Sequence, residues 1–116
     1  MFNRIMVPVV LQHVDRMRRT LAVAADLATQ SRASMIFVAV TGKEPNEIAS
    51  TPEKFAAELD LFAREQGDRS GVATESHAVV TNDPGADLQK RLLEAIKVTE
   101  ADLVVMSSHP PGVADA

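Results

Sequence analysis

Apolar residues fall into two kinds of run along this chain. One kind is short and unbroken: Ile5-Met6-Val7-Pro8-Val9-Val10 after Arg4, Met35-Ile36-Phe37-Val38-Ala39-Val40 after Ser34, and Leu103-Val104-Val105-Met106 after Ala101-Asp102. Such runs read as strands buried on both faces. The other kind recurs every three or four residues. Val14, Met17, Leu21, Ala24, Ala25 and Ala28 predict a helix over residues 13–32. Phe55, Leu59 and Phe62 share the face of a second helix, and Leu88, Leu92, Ala95 and Ile96 form the buried face of a third.

Local signals set the boundaries. Thr51-Pro52 and Asp83-Pro84 each place a capping side chain before a proline suited to the first helical position. Gly67 reads as the stop of the second helix, and Glu100 stands where a helix-ending glycine is common. Residues 41–50 are polar and read as a loop. Val72 to Val80 is a mixed strand whose polar content suits a sheet edge. The last strand is expected to run from Leu103 to Ser107. Pro8 cannot donate to a ladder, so it belongs near the carboxyl end of its strand, where pairing stops on one side.

The resulting order is β-α-β-α-β-α-β. Strands alternating with helices imply an α/β fold: parallel strands, right-handed crossovers and helices on both faces of the sheet, three layers in all. Residues 1–116 read as a single domain.

Composition narrows the function. The chain has no Trp or Tyr, four Phe and a net charge of −4. Stacking on bases and an electrostatic footprint for nucleic acid are both missing. Cysteine is absent, which removes disulfides, thiol nucleophiles and Cys-type zinc sites and agrees with a reducing cytoplasm. No apolar run reaches the ~20 residues that span a bilayer, so no membrane partner is expected. No leader of basic-then-apolar type precedes the first strand.

Four segments, in order and suitably spaced, resemble the universal stress protein family: Asn3 to Val10, Ile36 to Val40, Asn82-Asp83-Pro84-Gly85-Ala86-Asp87, and Ala101 to His109. The resemblance covers nearly the whole chain. It implies a Rossmann-like parallel sheet of order 3-2-1-4-5, with ATP bound in many members at the carboxyl ends of strands one and four. That crevice is the general ligand position of open α/β sheets. A fifth strand with its helix needs roughly 25 further residues. The domain therefore reads as incomplete at its carboxyl end, with strand four left as an apolar edge.

The crevice residues implied by the resemblance are Pro8, Val10, Val40, Ser107, Ser108 and His109. Val40 fits a position expected to meet an adenine edge through its backbone. Others depart from the ATP-binding pattern, which pairs an Asp after strand one with a loop Gly-x2-Gly-x9-Gly-(Ser/Thr) after strand four. Val10 stands where the acid would be, Ser107 at the first glycine and Pro110 at the second. Glycine lets backbone N–H groups approach a phosphate, whereas proline removes one donor. The resemblance with these departures implies a non-catalytic, cytoplasmic stress-response protein, a homodimer or other homo-oligomer, with lost or weakened ATP binding. The alternative is an ATP- or AMP-binding stress regulator with an altered phosphate loop.

Other candidates read as structural. Ser107 and Ser108 lack a Gly-x-Ser-x-Gly elbow. His13 and His77 lie on separate elements without further ligands at metal-binding spacing, so no metal is expected. Asp83 and Asp87 sit in a first helical turn, where caps and negative charge stabilise without catalysis. Arg16, Arg18 and Arg19 point in different directions around a helix and read as a solvated face. No Walker loop or Gly-x-Gly-x-x-Gly fingerprint occurs.

Overall fold

A computed structural model describes residues 1–107 of the protein. Four strands form one parallel sheet: β1 (Arg4–Pro8), β2 (Ser34–Thr41), β3 (Thr74–Val80) and β4 (Leu103–Val104), in the order β3-β2-β1-β4. Three helices connect them: α1 (Arg18–Ser31), α2 (Pro52–Ser70) and α3 (Pro84–Thr99). The expected order 3-2-1-4 and the edge position of β3 are both present.

Strand alternation divides the core into two layers. Ile5, Val7, Met35 and Phe37 face Ala24 and Ala28 of α1 and Phe55, Leu59 and Phe62 of α2. The rings of Phe37 and Phe62 meet edge to face at 5.2 Å and 82°, a geometry worth about 1 kcal/mol beyond burial. On the opposite face Met6, Ile36 and Val38 pack under Ala95 of α3, flanked by Leu92 and Ile96. Leu88 was expected on that buried face but is 43% exposed. It lies one turn nearer the strand exits, past the cluster beneath the helix.

Other boundaries differ from the sequence reading for identifiable reasons. The helix expected over residues 13–32 is two pieces: a 3₁₀ segment, Leu11–Arg16, then α1 after a break at Met17 (φ −106°, ψ 14°). The 3₁₀ segment is itself kinked at His13 (φ −130°, ψ 26°), so no single helical stripe runs through it. Four-residue spacing begins only from Met17 to Leu21. Gly67 does not stop α2. It lies inside the helix because a Cβ there would sit 2.9 Å from Thr74 Oγ1, so glycine permits the approach of α2 to the start of β3. The stop is Gly71 (φ 74°), whose N–H donates to the Gly67 carbonyl at 2.8 Å.

The caps behave as expected. Thr51 accepts from the Lys54 N–H at 3.1 Å and Asp83 from the Ala86 N–H at 3.2 Å. Glu100 ends α3 in the left-handed region (φ 57°), with the Ala101 N–H donating back to the Ile96 carbonyl at 3.2 Å.

Arg4 ties the amino-terminal ends of the strands together. Its Nε donates to the Thr99 carbonyl at 2.6 Å, and its guanidinium forks onto Glu75 at 2.8 and 3.2 Å. Asp102 accepts the backbone N–H groups of Asn3 and Arg4, both at 2.9 Å. These bonds hold both carboxyls below their ordinary values of 4.5 and 3.8, Glu75 through the Arg4 guanidinium and Asp102 through the N–H of Arg4 and then of Asn3.

A carboxylate depressed in the folded state contributes its full stability above its unfolded pKa and loses it as pH falls through its folded value. Urea midpoints are therefore expected to hold steady from neutrality to about pH 5 and fall below it. The double variant Glu75→Gln, Asp102→Asn should show a shallower fall; parallel curves would contradict the assignment. Glu100→Gly removes left-handed strain and a negative charge from a helix carboxyl terminus, so chemical denaturation should show a gain of about 1 kcal/mol.

Candidate functional site

The β1–β4 pair ends because of one missing hydrogen. The Val105 N–H donates to the Met6 carbonyl at 3.0 Å, so the backbone polar groups of Met6 face β4. Two residues on, alternation turns the Pro8 nitrogen to the same side, and proline has nothing to donate. On the other side pairing continues, with the Val9 N–H donating to the Val38 carbonyl at 2.8 Å. The expected strand from Leu103 to Ser107 is thus reduced to the pair Leu103–Val104. The strand order reverses between β1 and β4, and the rule for open parallel sheets places the candidate ligand crevice at their carboxyl ends.

Right-handed crossovers bring helix amino termini to the same end of the sheet. Val9 is buried, and Val10 is 49% exposed with extended backbone (φ −114°, ψ 106°), its carbonyl accepting the His13 N–H at 2.9 Å. Val40 is half-buried near the end of β2. Ser107, half-buried at the β4 exit, shares a 2.6 Å hydrogen bond between its Oγ and the Oγ1 of Thr20 in the first turn of α1. Pro8, Val10, Val40 and Ser107 therefore all lie at the carboxyl ends of the strands. Ser108, His109 and Pro110 fall outside the described residues.

Thr20 is a crevice residue that sequence reasoning missed. The available signal was positional: in a β-α-β unit the first turn of α1 must face the strand exits, and Thr20 is the hydroxyl in that turn. The loop after β2 is also more ordered than its polarity suggested. Asn46 Oδ1 accepts from Ile48 N–H (2.9 Å) and Ala49 N–H (3.1 Å), while its Nδ2 donates to Thr41 Oγ1 at 3.0 Å. Ile48 and Ala49 pack on the main core, so this loop is a fixed rim beside Val40.

The remaining candidates hold structural positions. Asp87 accepts the hydroxyl of buried Thr81 at 2.6 Å, and Asp83 is the α3 cap already described. His13 is exposed on the 3₁₀ segment and His77 half-buried on β3, opposite Val38. Among the described residues no group of three His, Cys, Asp or Glu side chains converges as a metal site would require, and no helix is long and apolar enough to cross a membrane. The crevice thus offers aliphatic surface and a hydroxyl pair.

The sequence matches the model of the universal stress protein family over residues 1–116. No curated protein matches it significantly. Solved structures share its fold. A protein from the universal stress protein family of Burkholderia pseudomallei matches with a TM-score of 0.69 at 20% identity, over 97% of this chain and 86% of that one. The universal stress protein of Archaeoglobus fulgidus matches with a TM-score of 0.63 at 22% identity, over 91% and 76%. A universal stress protein in complex with cAMP matches with a TM-score of 0.62 at 19% identity, over 99% and 86%.

Removing either hydroxyl of the Thr20–Ser107 pair strands the other. Thr20→Val and Ser107→Ala are each expected to cost about 1 kcal/mol in urea unfolding, and a double-mutant cycle should return a coupling of at least ~0.5 kcal/mol. Strict additivity would mean that the bond contributes nothing.

Proposed function

Because the chain belongs to the universal stress protein family, we propose that it is a non-catalytic stress-response protein in which the grip on ATP is lost or weakened. The observation that carries this reading is Val10. It presents an exposed isopropyl group at the end of β1, where the ATP-binding pattern of the family has an acid. A branched alkyl group offers no acceptor to a ribose hydroxyl, which removes a charge-assisted bond of about 1.5–3 kcal/mol. Ser107 adds to this, since it stands at the first glycine of the phosphate loop and its hydroxyl is engaged by Thr20. The proposal includes action in the cytoplasm as a homodimer or other homo-oligomer. Support for self-association comes from the outer edge of β4, which pairs only with β1 among the described residues, beside Met106 at 55% exposure.

A second reading rests on the relative solved with cAMP. In it, the crevice takes a nucleotide monophosphate, AMP or cAMP, instead of a triphosphate. In cAMP one ribose hydroxyl is already esterified, so a missing carboxylate costs less there, and the hydroxyls of Ser107 and Thr20 would face the single phosphate.

Calorimetry of the full chain with magnesium-ATP, AMP and cAMP separates the readings. The expected result is no saturable ATP binding below about millimolar, with Val10→Asp tightening ATP by at least ~10-fold. Micromolar ATP binding by the unaltered protein would overturn the proposal. Micromolar AMP or cAMP binding without ATP binding would establish the second reading in its place.

A further inference from the structure

We propose that the loop after β2 and the start of α3 form one latch, running through the sheet, that makes the rim of the crevice and the α3 layer open together. The device is independent of which ligand the crevice takes. It is built on two neighbouring threonines. Thr41 ends β2, and Thr81 follows β3 with its N–H donating to the Thr41 carbonyl at 2.9 Å. Their hydroxyls serve opposite faces of the sheet. Thr41 keeps the parity of Phe37 and Ala39, which pack on the α1–α2 side, whereas Thr81 reaches α3.

On the first face Thr41 Oγ1 accepts from Asn46 Nδ2 at 3.0 Å, and Asn46 Oδ1 accepts the N–H groups of Ile48 and Ala49. On the second the Thr81 hydroxyl donates to Asp87 at 2.6 Å, in the first turn of α3. The N–H of Asp87 closes that turn on the Asp83 carbonyl at 2.8 Å. One chain of hydrogen bonds thus joins the rim to α3. A packing contact runs beside it: a Cβ on Gly42 would stand 3.1 Å from Cγ of Pro84, the first residue of α3.

Burial makes this chain all-or-none. Three polar side chains are buried among the described residues, and two of them are Thr41 (4% exposed) and Thr81 (3%). A buried hydroxyl deprived of its partner loses one hydrogen bond without gaining another from water. Opening a single link is therefore less favourable than opening far enough to wet both threonines. The two ends of the chain also belong to different layers. Ile48 and Ala49 pack on the larger cluster with α1 and α2, whereas α3 rests on the smaller one. Packing alone would leave the rim closed when α3 lifts. The latch reverses that expectation: Asp87 leaves with α3, Thr81 loses its bond, the end of the β2–β3 ladder frays, and Asn46 loses its anchor. Whatever displaces the rim beside Val40 reaches α3 along the same bonds, because coupling between two sites is reciprocal.

The test is amide hydrogen exchange of the ¹⁵N-labelled full chain, followed by NMR at fixed pH and temperature. Thr81→Val and Asp87→Ala remove side-chain groups that make no hydrogen bond to the loop. Each is nevertheless expected to speed exchange of the Ile48 and Ala49 amides by about tenfold. Reciprocally, Asn46→Ala, which removes no bond to α3, should speed the Thr81 and Asp87 amides by about the same factor. Thr81→Ser keeps the hydroxyl and should keep the protection. Ser76→Ala removes a 3.2 Å bond between β3 and Asp60, away from the latch, and should leave rim exchange within about twofold of the unaltered protein. Rim amides unmoved by both Thr81→Val and Asp87→Ala, no reciprocal change in Asn46→Ala, or an equal rise in Ser76→Ala would each overturn the proposal.

Discussion

The structure depends on β1 and β2 lying side by side with both faces covered. Ile5, Met6, Val7, Phe37 and Val38 are each no more than 1% exposed, so neither strand can give a face to water. Two neighbouring strands pointing the same way cannot be joined by a tight turn. Each connection must climb back over the sheet, and helices do so while satisfying their own backbone groups. The rest follows from that geometry: helices on both faces, helix amino termini gathered at the strand exits, and a crevice where the direction of winding reverses.

Much of this was legible because it is written locally. Unbroken apolar runs, Thr51-Pro52, Asp83-Pro84 and the polar β3 each declare their place within a few residues. What escaped depends on neighbours distant in sequence. Gly67 resembles a helix stop until Thr74 is seen against it. Leu88 keeps helical spacing, but the sheet beneath it has ended. The last strand is cut short by a proline 98 residues earlier in the sequence, at the far side of the ladder.

The candidate site divides in the same way. Its location could be read from the strand order, and Val10 from its place after β1. The Thr20–Ser107 bond joins residues 87 apart and leaves no pattern in either segment. Scaffold and site also obey different constraints. The relatives share the fold at 19–22% identity, since many combinations of aliphatic side chains fill the same layers. A single polar position, by contrast, decides what a crevice can hold, so the fold alone does not fix the ligand.

The two layers of the core are unequal, and this has a dynamic consequence. Among the described residues, fourteen buried ones hold α1 and α2 to the sheet, three of them phenylalanines, whereas four form the cluster beneath α3. Free energies of opening follow the apolar surface that each element buries. The α3 layer therefore lifts more readily than the α1–α2 layer, and its amides should exchange with solvent through sub-global openings while β1 and β2 exchange only when the whole domain unfolds. Arg4 spans this boundary, bonded to the end of α3 on one side and set in the central strand on the other, so it limits how far the weaker layer can part from the stronger.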